Sequence, residues 1–177
     1  MYKHLALALA TVAALAGATG CAVIDRSPRS AALEAGAKWA ILPVANHTET
    51  AQAGQRAEAM LEPLLRQRGV ATVLRAPGTG SVDALLEGTD RKAQQDSTRW
   101  AAEQGVRYAV SGAVDEWRYK VGVDGEPAVG LVQQVTDLQS NAVVWSATGG
   151  KSGWSREALS AVAQKLMRDM LAELPVR

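Results

Sequence analysis

Residues 107–119 of the 177-residue chain, RYAVSGAVDEWRY, carry the pattern that decides the fold class. Apolar and small residues alternate along this stretch, which is the period of a β-strand with two distinct faces. The alternation predicts two sets, Val110, Gly112 and Val114 on one face and Ala109, Ala113 and Trp117 on the other. A second strand-like run covers 128–138, and a tight turn at 139–141 leads into a third at 142–147. The three runs predict an antiparallel meander.

The segments around this meander alternate between strand and helix patterns. Apolar runs at 39–44 and 70–75 predict two strands. Helical spacing of apolar residues marks 53–69, where Pro63 is expected to bend or restart the helix, 90–104, and the stretch from Ala158 to Leu174. The order β-α-β-α-β-β-β-α therefore predicts an α/β fold with a mixed sheet and helices packed on it.

The N-terminal residues form the three regions of a bacterial export signal. Lys3 and His4 precede an apolar run at 5–17, and the small residues 18–20 precede Cys21. Small residues directly before a cysteine resemble the lipobox, which predicts that residues 1–20 are removed and that Cys21 is acylated. The alternative is an ordinary signal peptide that leaves a thiol behind. A membrane-spanning helix is a weak alternative, because the apolar run is shorter than the roughly 18 residues that a span needs.

The rest of the chain has the length of one domain. Residues 21–37 have no clear period and are predicted to be a lipidated tether, and 38–177 a single α/β domain. Resemblance to the Gram-negative sorting pattern, in which Asp after the cysteine retains a lipoprotein at the inner membrane, implies that Ala22 favours the outer membrane. The 19 basic and 18 acidic residues become 18 of each when Lys3 is removed with the signal, so nothing calls for nucleic acid.

The mature sequence has few residues suited to catalysis. His47 is its only histidine, lies in a predicted loop, and is accompanied by no Gly-x-Ser-x-Gly elbow. Gly150-Lys151-Ser152 resembles the end of a phosphate loop, but Trp145 stands where that pattern requires glycine. No His, Cys or carboxylate group has metal-ligand spacing. We therefore expect no enzyme activity, no metal and no cofactor.

The loop Gly122–Pro127 joins two predicted strands and carries two carboxylates, Asp124 and Glu126. One interpretation is a solvated hairpin turn. The other is an acidic rim that meets a cationic partner, which requires repetition around a ring to focus a negative potential.

Trp154 lies between Lys151 and Arg156, and two interpretations remain open. If Ser155 caps the last helix, Trp154 and Leu159 form a hydrophobic staple. Alternatively, Trp154 lies at headgroup depth in a membrane, with Lys151 and Arg156 near anionic lipid. Trp145 is predicted to be in the core or in a subunit interface.

Four stretches of the sequence resemble the PelC family, the outer-membrane lipoproteins of Pel polysaccharide export. They are 116–130, 143–148, 152–157, and 40–44 with Asn46 and Thr48. The resemblance implies a non-enzymatic ring of about a dozen subunits on the inner leaflet of the outer membrane, beside a β-barrel export protein. It further implies that Asp124 lies in an acidic funnel that guides a cationic amino-sugar polysaccharide, and that Trp154 belongs to an aromatic belt. Placing Glu126 in the funnel extends this from its position in the same loop.

Two related classes of lipoprotein share the element order. Curli-type secretion lipoproteins need long hairpins, and the predicted strand connections here are short. Activators of penicillin-binding proteins need a long spacer, and the predicted tether is short. A regulator of a cell-wall synthase nevertheless remains the alternative function.

Overall fold

The computed structural model describes residues 22–27, 31–77, 87–122 and 125–177, with side chains from residue 92 onward in the third range. The described strands are β1 (Ala22–Arg26), β2 (Lys38–Asn46), β3 (Thr72–Arg75), β4 (Tyr108–Tyr119), β5 (Pro127–Asp137) and β6 (Ala142–Ser152). The described helices are α1 (Ala53–Gln67), α2 (Glu87–Glu103) and α3 (Leu159–Leu171). The sequence pattern also predicts a short helical turn at 81–87, which lies almost wholly outside the described residues.

All six strands belong to one mixed sheet with the order β1-β6-β5-β4-β2-β3. β2 pairs in parallel with β3 and β4, because α1 and α2 supply the long connections that parallel neighbours require. β4, β5 and β6 form the antiparallel meander, and β1 adds an antiparallel edge. The α/β prediction is confirmed, with one strand more than the sequence pattern indicated.

The helices cover both faces of the sheet, so the domain has three layers. α1 and α3 lie on one face over the main core, whose fully buried members include Trp39, Leu61, Leu65, Leu166 and Met170. α2 lies on the other face over a smaller cluster, Ala40, Leu42, Ala101, Val106 and Ala109. Burying each of the larger side chains contributes about 1.5–3 kcal/mol. Most of the packing energy therefore comes from the α1 and α3 face.

Helix α1 ends as the sequence predicts but does not break at proline. Gly69 has a φ of +95°, the left-handed conformation expected just beyond a helix C-terminus. The helix continues through Pro63 to Gln67, although proline supplies no backbone N–H. Burial of Leu61, Leu64 and Leu65 holds this last turn against the sheet.

A β-bulge in β4 changes which face Trp117 occupies. The pairing with β5 shifts between Val114 and Glu116, so Asp115 is an extra residue on β4. The shift places Trp117 on the same face as Val110 and Val114, in the main core, where it is 1% exposed. The prediction that Trp117 shares a face with Ala109 is therefore wrong.

The prediction of a tether is wrong for the residues nearest Cys21. Residues 22–26 form β1, paired with β6 from Ala22 opposite Lys151 to Arg26 opposite Ala147. Farther along, Leu33 is 3% exposed and bridges Val176. The segment carries its own packing and backbone hydrogen bonds, so these parts of 21–37 belong to the domain.

Interactions with α3 hold β1 at the sheet edge. The Arg26 guanidinium donates to the carbonyl oxygens of Met170, at 3.2 Å, and Asp169. These carbonyls belong to the last turn of α3, where backbone acceptors lack helical partners and where a cation is favourable. Ile24 packs against the main core. β1 is thus clamped to both the sheet and a helix.

Candidate functional site

The strand directions bring four chain segments together at one end of the sheet. β1 and β5 begin there, at Ala22 and Pro127, and β4 and β6 end there, at Tyr119 and Ser152. We call this the anchor end, because Ala22 is bonded to Cys21. The loops that carry Asp124, Glu126 and Trp154 both lie at this end. Cys21 and Asp124 themselves lie outside the described residues.

The β4–β5 hairpin extends beyond the sheet at the anchor end. The Lys120 N–H donates to the Glu126 carbonyl oxygen at 2.7 Å, which continues the ladder one step past Tyr119 and Pro127. Gly125 has a φ of +51°, as a turn residue. Glu126 is exposed, and Val121 is 101% exposed. The Lys120 Nζ donates to Ser152 Oγ at 2.7 Å, which ties the hairpin to the end of β6.

A tight turn follows β6 and presents Trp154. The Trp154 N–H donates to Glu157 Oε2 at 3.2 Å, and the Glu157 N–H donates to the Trp154 carbonyl oxygen at 3.0 Å. A Cβ on Gly153 would lie 2.5 Å from Glu157 Oε2 and 2.5 Å from Val162, so only glycine fits this approach. Arg156 completes the turn with a φ of +75°. The turn leaves Trp154 56% exposed.

The hydrophobic-staple interpretation of Trp154 is wrong. Helix α3 begins at Leu159 and its N-cap residue is Ala158, so Ser155 is not the cap. Leu159 is accordingly the first residue of the helix, whereas a staple needs an apolar residue at the fourth helical position. The Leu159 N–H instead donates to Tyr119 Oη at 3.2 Å. The exposed indole therefore does not have the helix-start role that the sequence suggested.

The Glu157 carboxylate accepts hydrogen bonds from both sides of this turn, from the Trp154 N–H and from Lys165. Lys165 Nζ donates to Glu157 Oε1 at 2.6 Å, and this hydrogen bond lowers the pKa of the Glu157 carboxyl below its ordinary value of 4.5. Partial burial works in the opposite direction, while the Trp154 N–H and the charges of Lys165 and Lys151 support the lowering. The ionised carboxylate thus joins the Trp154 turn to α3.

The predicted membrane-interface residues have different environments. Trp154 and Arg156 are exposed, whereas the Lys151 side chain is 17% exposed and its Nζ lies 3.4 Å from Asp169 Oδ2. Lys151 therefore packs against α3 and has little freedom to reach a headgroup. Lys120, Val121 and Tyr119 were not singled out as site residues. The signal that could have found them is the Tyr-Lys-Val run directly before the Gly-rich hairpin turn.

An open apolar groove of about 600 Å³ lies near the same end, between α1 and α3. Its lining includes Met60, Trp117, Tyr119 and Leu159, with Arg56 as its one cation. The Tyr119 hydroxyl donates to the Glu157 carbonyl oxygen at 3.2 Å, so this side chain bridges the groove and the Trp154 turn. The groove presents no paired acid and base.

His47 has the surface role that the sequence predicts. Its Nδ1 lies 2.8 Å from Asp115 Oδ1, and both side chains are about half exposed, at 58% and 49%. Asp115 is the bulge residue of β4, and the His47 N–H donates to the Val114 carbonyl oxygen at 2.9 Å. Among the described residues, no group of three or more His, Cys, Asp or Glu residues could hold a metal ion.

Within the described ranges, no helix is both long and apolar enough to cross a membrane. The anchor end combines an exposed tryptophan, an exposed valine, neighbouring cations and an acidic hairpin around the first residue after Cys21. This arrangement suits surface contact rather than bond-making chemistry.

Comparisons with known proteins give a consistent result. Neither the models of known protein families nor the curated proteins contain a match. Two crystal forms of the PelC dodecamer from Paraburkholderia phytofirmans match at TM-scores of 0.76 and 0.75, both with 41% sequence identity. Each alignment covers 89% of this chain, and 100% and 99% of the respective PelC chains.

A more distant structure shares the fold alone. Lipoprotein GNA1162 from Neisseria meningitidis matches at a TM-score of 0.52 with 14% identity, covering 77% of this chain and 96% of that one. The Paraburkholderia structures differ from it in sequence identity, 41% against 14%, and in the share of this chain that is covered, 89% against 77%. Because the identity of 41% extends over 89% of this chain and over the whole PelC chain, the chain belongs to the PelC family.

Proposed function

We propose that this chain is an outer-membrane lipoprotein that assembles into a homo-oligomeric ring and guides a cationic, Pel-type exopolysaccharide to a β-barrel export protein. The observation that carries the proposal is the 41% identity to the PelC dodecamer over its full length. At this identity, the fold and the surfaces that build an assembly are commonly retained together. By analogy with that dodecamer, this chain would form a ring of about a dozen copies.

The anchor of the ring is the lipid on Cys21. Residues 1–20 are removed, and the acylated cysteine inserts into the inner leaflet of the outer membrane, with the domain on the periplasmic face. Trp154 lies at headgroup depth, and Arg156 contacts lipid phosphate. Support for this orientation comes from the position of Ala22, which pairs with Lys151 only three residues before Trp154.

The acidic hairpin provides the guide. Glu126 is exposed, and Asp124 belongs to the same Gly- and Pro-bounded loop. A single exposed ion pair is worth only about 0–1 kcal/mol, so one subunit would hold an amino-sugar unit weakly. Copies arranged in a ring multiply these contacts, and a polymer can exchange them in turn without stalling. Weak, repeated attraction is suited to guidance.

The role is non-enzymatic and requires no cofactor. Membership in the PelC family supports this, as does the environment of His47, which is exposed and paired with a bulge aspartate. Binding, rather than turnover, is the chemistry that this surface offers.

The proposal is tested by complementing a deletion strain with the wild-type chain and with Cys21→Ser. The wild type should restore secretion of the polymer and fractionate with the outer membrane. Cys21→Ser should accumulate without membrane attachment and secrete less polymer. If the deletion leaves secretion intact and the protein instead binds and stimulates a cell-wall synthase, the regulator alternative is correct.

A further inference from the structure

We propose that the hairpin tip Lys120–Val121 is a second membrane contact, which enters the same lipid leaflet as Trp154 and is oriented by β1. This inference rests on the proposed lipid anchoring, and it adds an insertion site and a fixed orientation to it. Three features of the structure support it: the pairing of β1, the exposure of Val121, and the charges beside it.

Because β1 is paired from Ala22 onward, almost no unpaired chain separates the proposed lipid from the domain. Cys21 is bonded to Ala22, which lies opposite Lys151 near the end of β6. One residue of extended chain spans about 3.4 Å, so the acylated cysteine must emerge at the anchor end itself. Ile24 and Arg26 hold the strand to the core and to α3. A lipid attached to such a clamped strand brings this end of the sheet against the bilayer.

The hairpin tip lies within the surface that this orientation brings to the lipid. β4 is three strands from β1, and neighbouring strands are about 4.8 Å apart, so the two are separated by roughly 14 Å. Val121 is 101% exposed, and Tyr119 is 49% exposed. An apolar side chain so fully exposed at the tip of a loop is what a membrane-inserting residue requires. The Lys120–Ser152 hydrogen bond keeps the tip beside the Trp154 turn.

The charges around the tip fit a leaflet that contains anionic lipid. Lys120 is exposed and lies directly before Val121, whereas the exposed Arg118 is paired with Glu116 at 3.0 Å. Glu126 is exposed and lies on the returning side of the hairpin, and its charge opposes insertion of that side. The hairpin is thus divided between a cationic and apolar approach and an acidic return. This division assigns residues 120–121 to lipid and leaves the Glu126 carboxylate for water or polymer.

The experiment uses the full acylated chain in vesicles of phosphatidylethanolamine and phosphatidylglycerol. Cys21 is the only cysteine, so Val121→Cys adds the one free thiol, which is labelled with an environment-sensitive fluorophore. Vesicles that contain nitroxide-bearing phospholipid then quench only probes at membrane depth. The matched control is Val143→Cys, a 56% exposed valine at the start of β6, at the opposite end of the sheet. Trp154→Cys reports on the proposed lipid contact of the Trp154 turn.

The expected result is quenching at positions 121 and 154 that is several-fold stronger than at 143. Quenching at 154 with position 121 no stronger than 143 would overturn the inference and leave the lipid contact of Trp154 intact. Equal, weak quenching at all three positions would overturn both. Because Val121 makes no core contact, a normal thermal transition of the labelled protein is expected in every case.

Discussion

Ala22 lies directly opposite Lys151 in the antiparallel pairing of β1 with β6. The first residue after Cys21 is therefore part of the sheet, and its partner Lys151 precedes the exposed Trp154 by three residues. Under the proposed lipid anchoring, attachment needs only the lipid on Cys21, whereas the orientation of the domain on the membrane would be set by the pairing of β1.

A flexible insertion before β1 should uncouple these two properties. We expect Ala-Gly-Ser-Gly-Ser-Gly between Cys21 and Ala22 to preserve the alanine after the cysteine and the membrane attachment, yet to reduce polymer secretion. Six flexible residues have a typical span of about 13 Å, enough to let the domain tilt. The matched control is the same insertion between Ser27 and Pro28, which leaves β1 paired. Equal secretion by the two variants would count against a role for β1 in orientation.

Trp154→Ala should impair export with little loss of stability. The indole is 56% exposed, and substitutions at such sites usually change the free energy of unfolding by no more than about 0.5 kcal/mol. Trp145→Ala provides the contrast, because that side chain is 3% exposed and its removal should cost about 3–5 kcal/mol. Thermal unfolding and secreted polymer are measured for both. A large fall in Tm for Trp154→Ala would show that its packing, and not lipid contact, is its main role.

Neutralising the acidic hairpin should weaken guidance without affecting assembly. Glu126→Gln is expected to reduce polymer secretion, and adding Asp124→Asn should deepen the defect while ring size and membrane attachment stay normal. Glu103→Gln, an exposed carboxylate at the end of α2, is the matched control. Binding of the wild type to a cationic amino-sugar oligomer should also weaken as salt is raised, because exposed charges are screened. Normal secretion by the double variant would reduce this loop to a simple turn.

Glu157 should make the stability of the Trp154 turn depend on acid pH. Its pKa is lowered in the folded state by the hydrogen bond from Lys165, so its contribution to stability is present above the ordinary pKa of 4.5. That contribution is lost as the pH falls through the lowered folded-state pKa. Glu157→Gln should therefore lower the Tm by a few degrees near pH 7 and by less at about pH 3. The same difference in Tm at both pH values would argue against an ionic role for this carboxylate.

Much of the fold follows from patterns that local sequence carries. The alternation in β4 and the helical spacing in α1 and α3 were sufficient to predict a mixed sheet with packed helices. β1 was missed because its five residues, AVIDR, contain two charges and no clear period. Its strand conformation comes from β6, which offers a free edge, and from α3, whose last carbonyls bind Arg26. Those partners lie more than 100 residues away in sequence.

The two errors within the candidate site have the same origin. The bulge at Asp115 is fixed by the pairing of β4 with β5, and it changes the face of Trp117 although the local alternation is unaltered. Serine is a preferred helix-capping residue, which is why the sequence suggests Ser155 as the cap. The contacts among Gly153, Glu157 and Lys165 instead stabilise a non-helical turn, and the helix begins only at Leu159. The positions of Trp154 and of the acidic hairpin could be read from sequence, while their shared location at the anchor end required the topology.

The mass of the acylated protein in a lipid environment tests the central claim most directly. Protein extracted from the outer membrane and placed in lipid nanodiscs or mild detergent should give one closed species on native mass spectrometry. A mass near twelve subunits is expected, as in the Paraburkholderia PelC dodecamer. A monomer that persists at high concentration, both in solution and in lipid, would contradict the ring and with it the proposed guidance of the polymer.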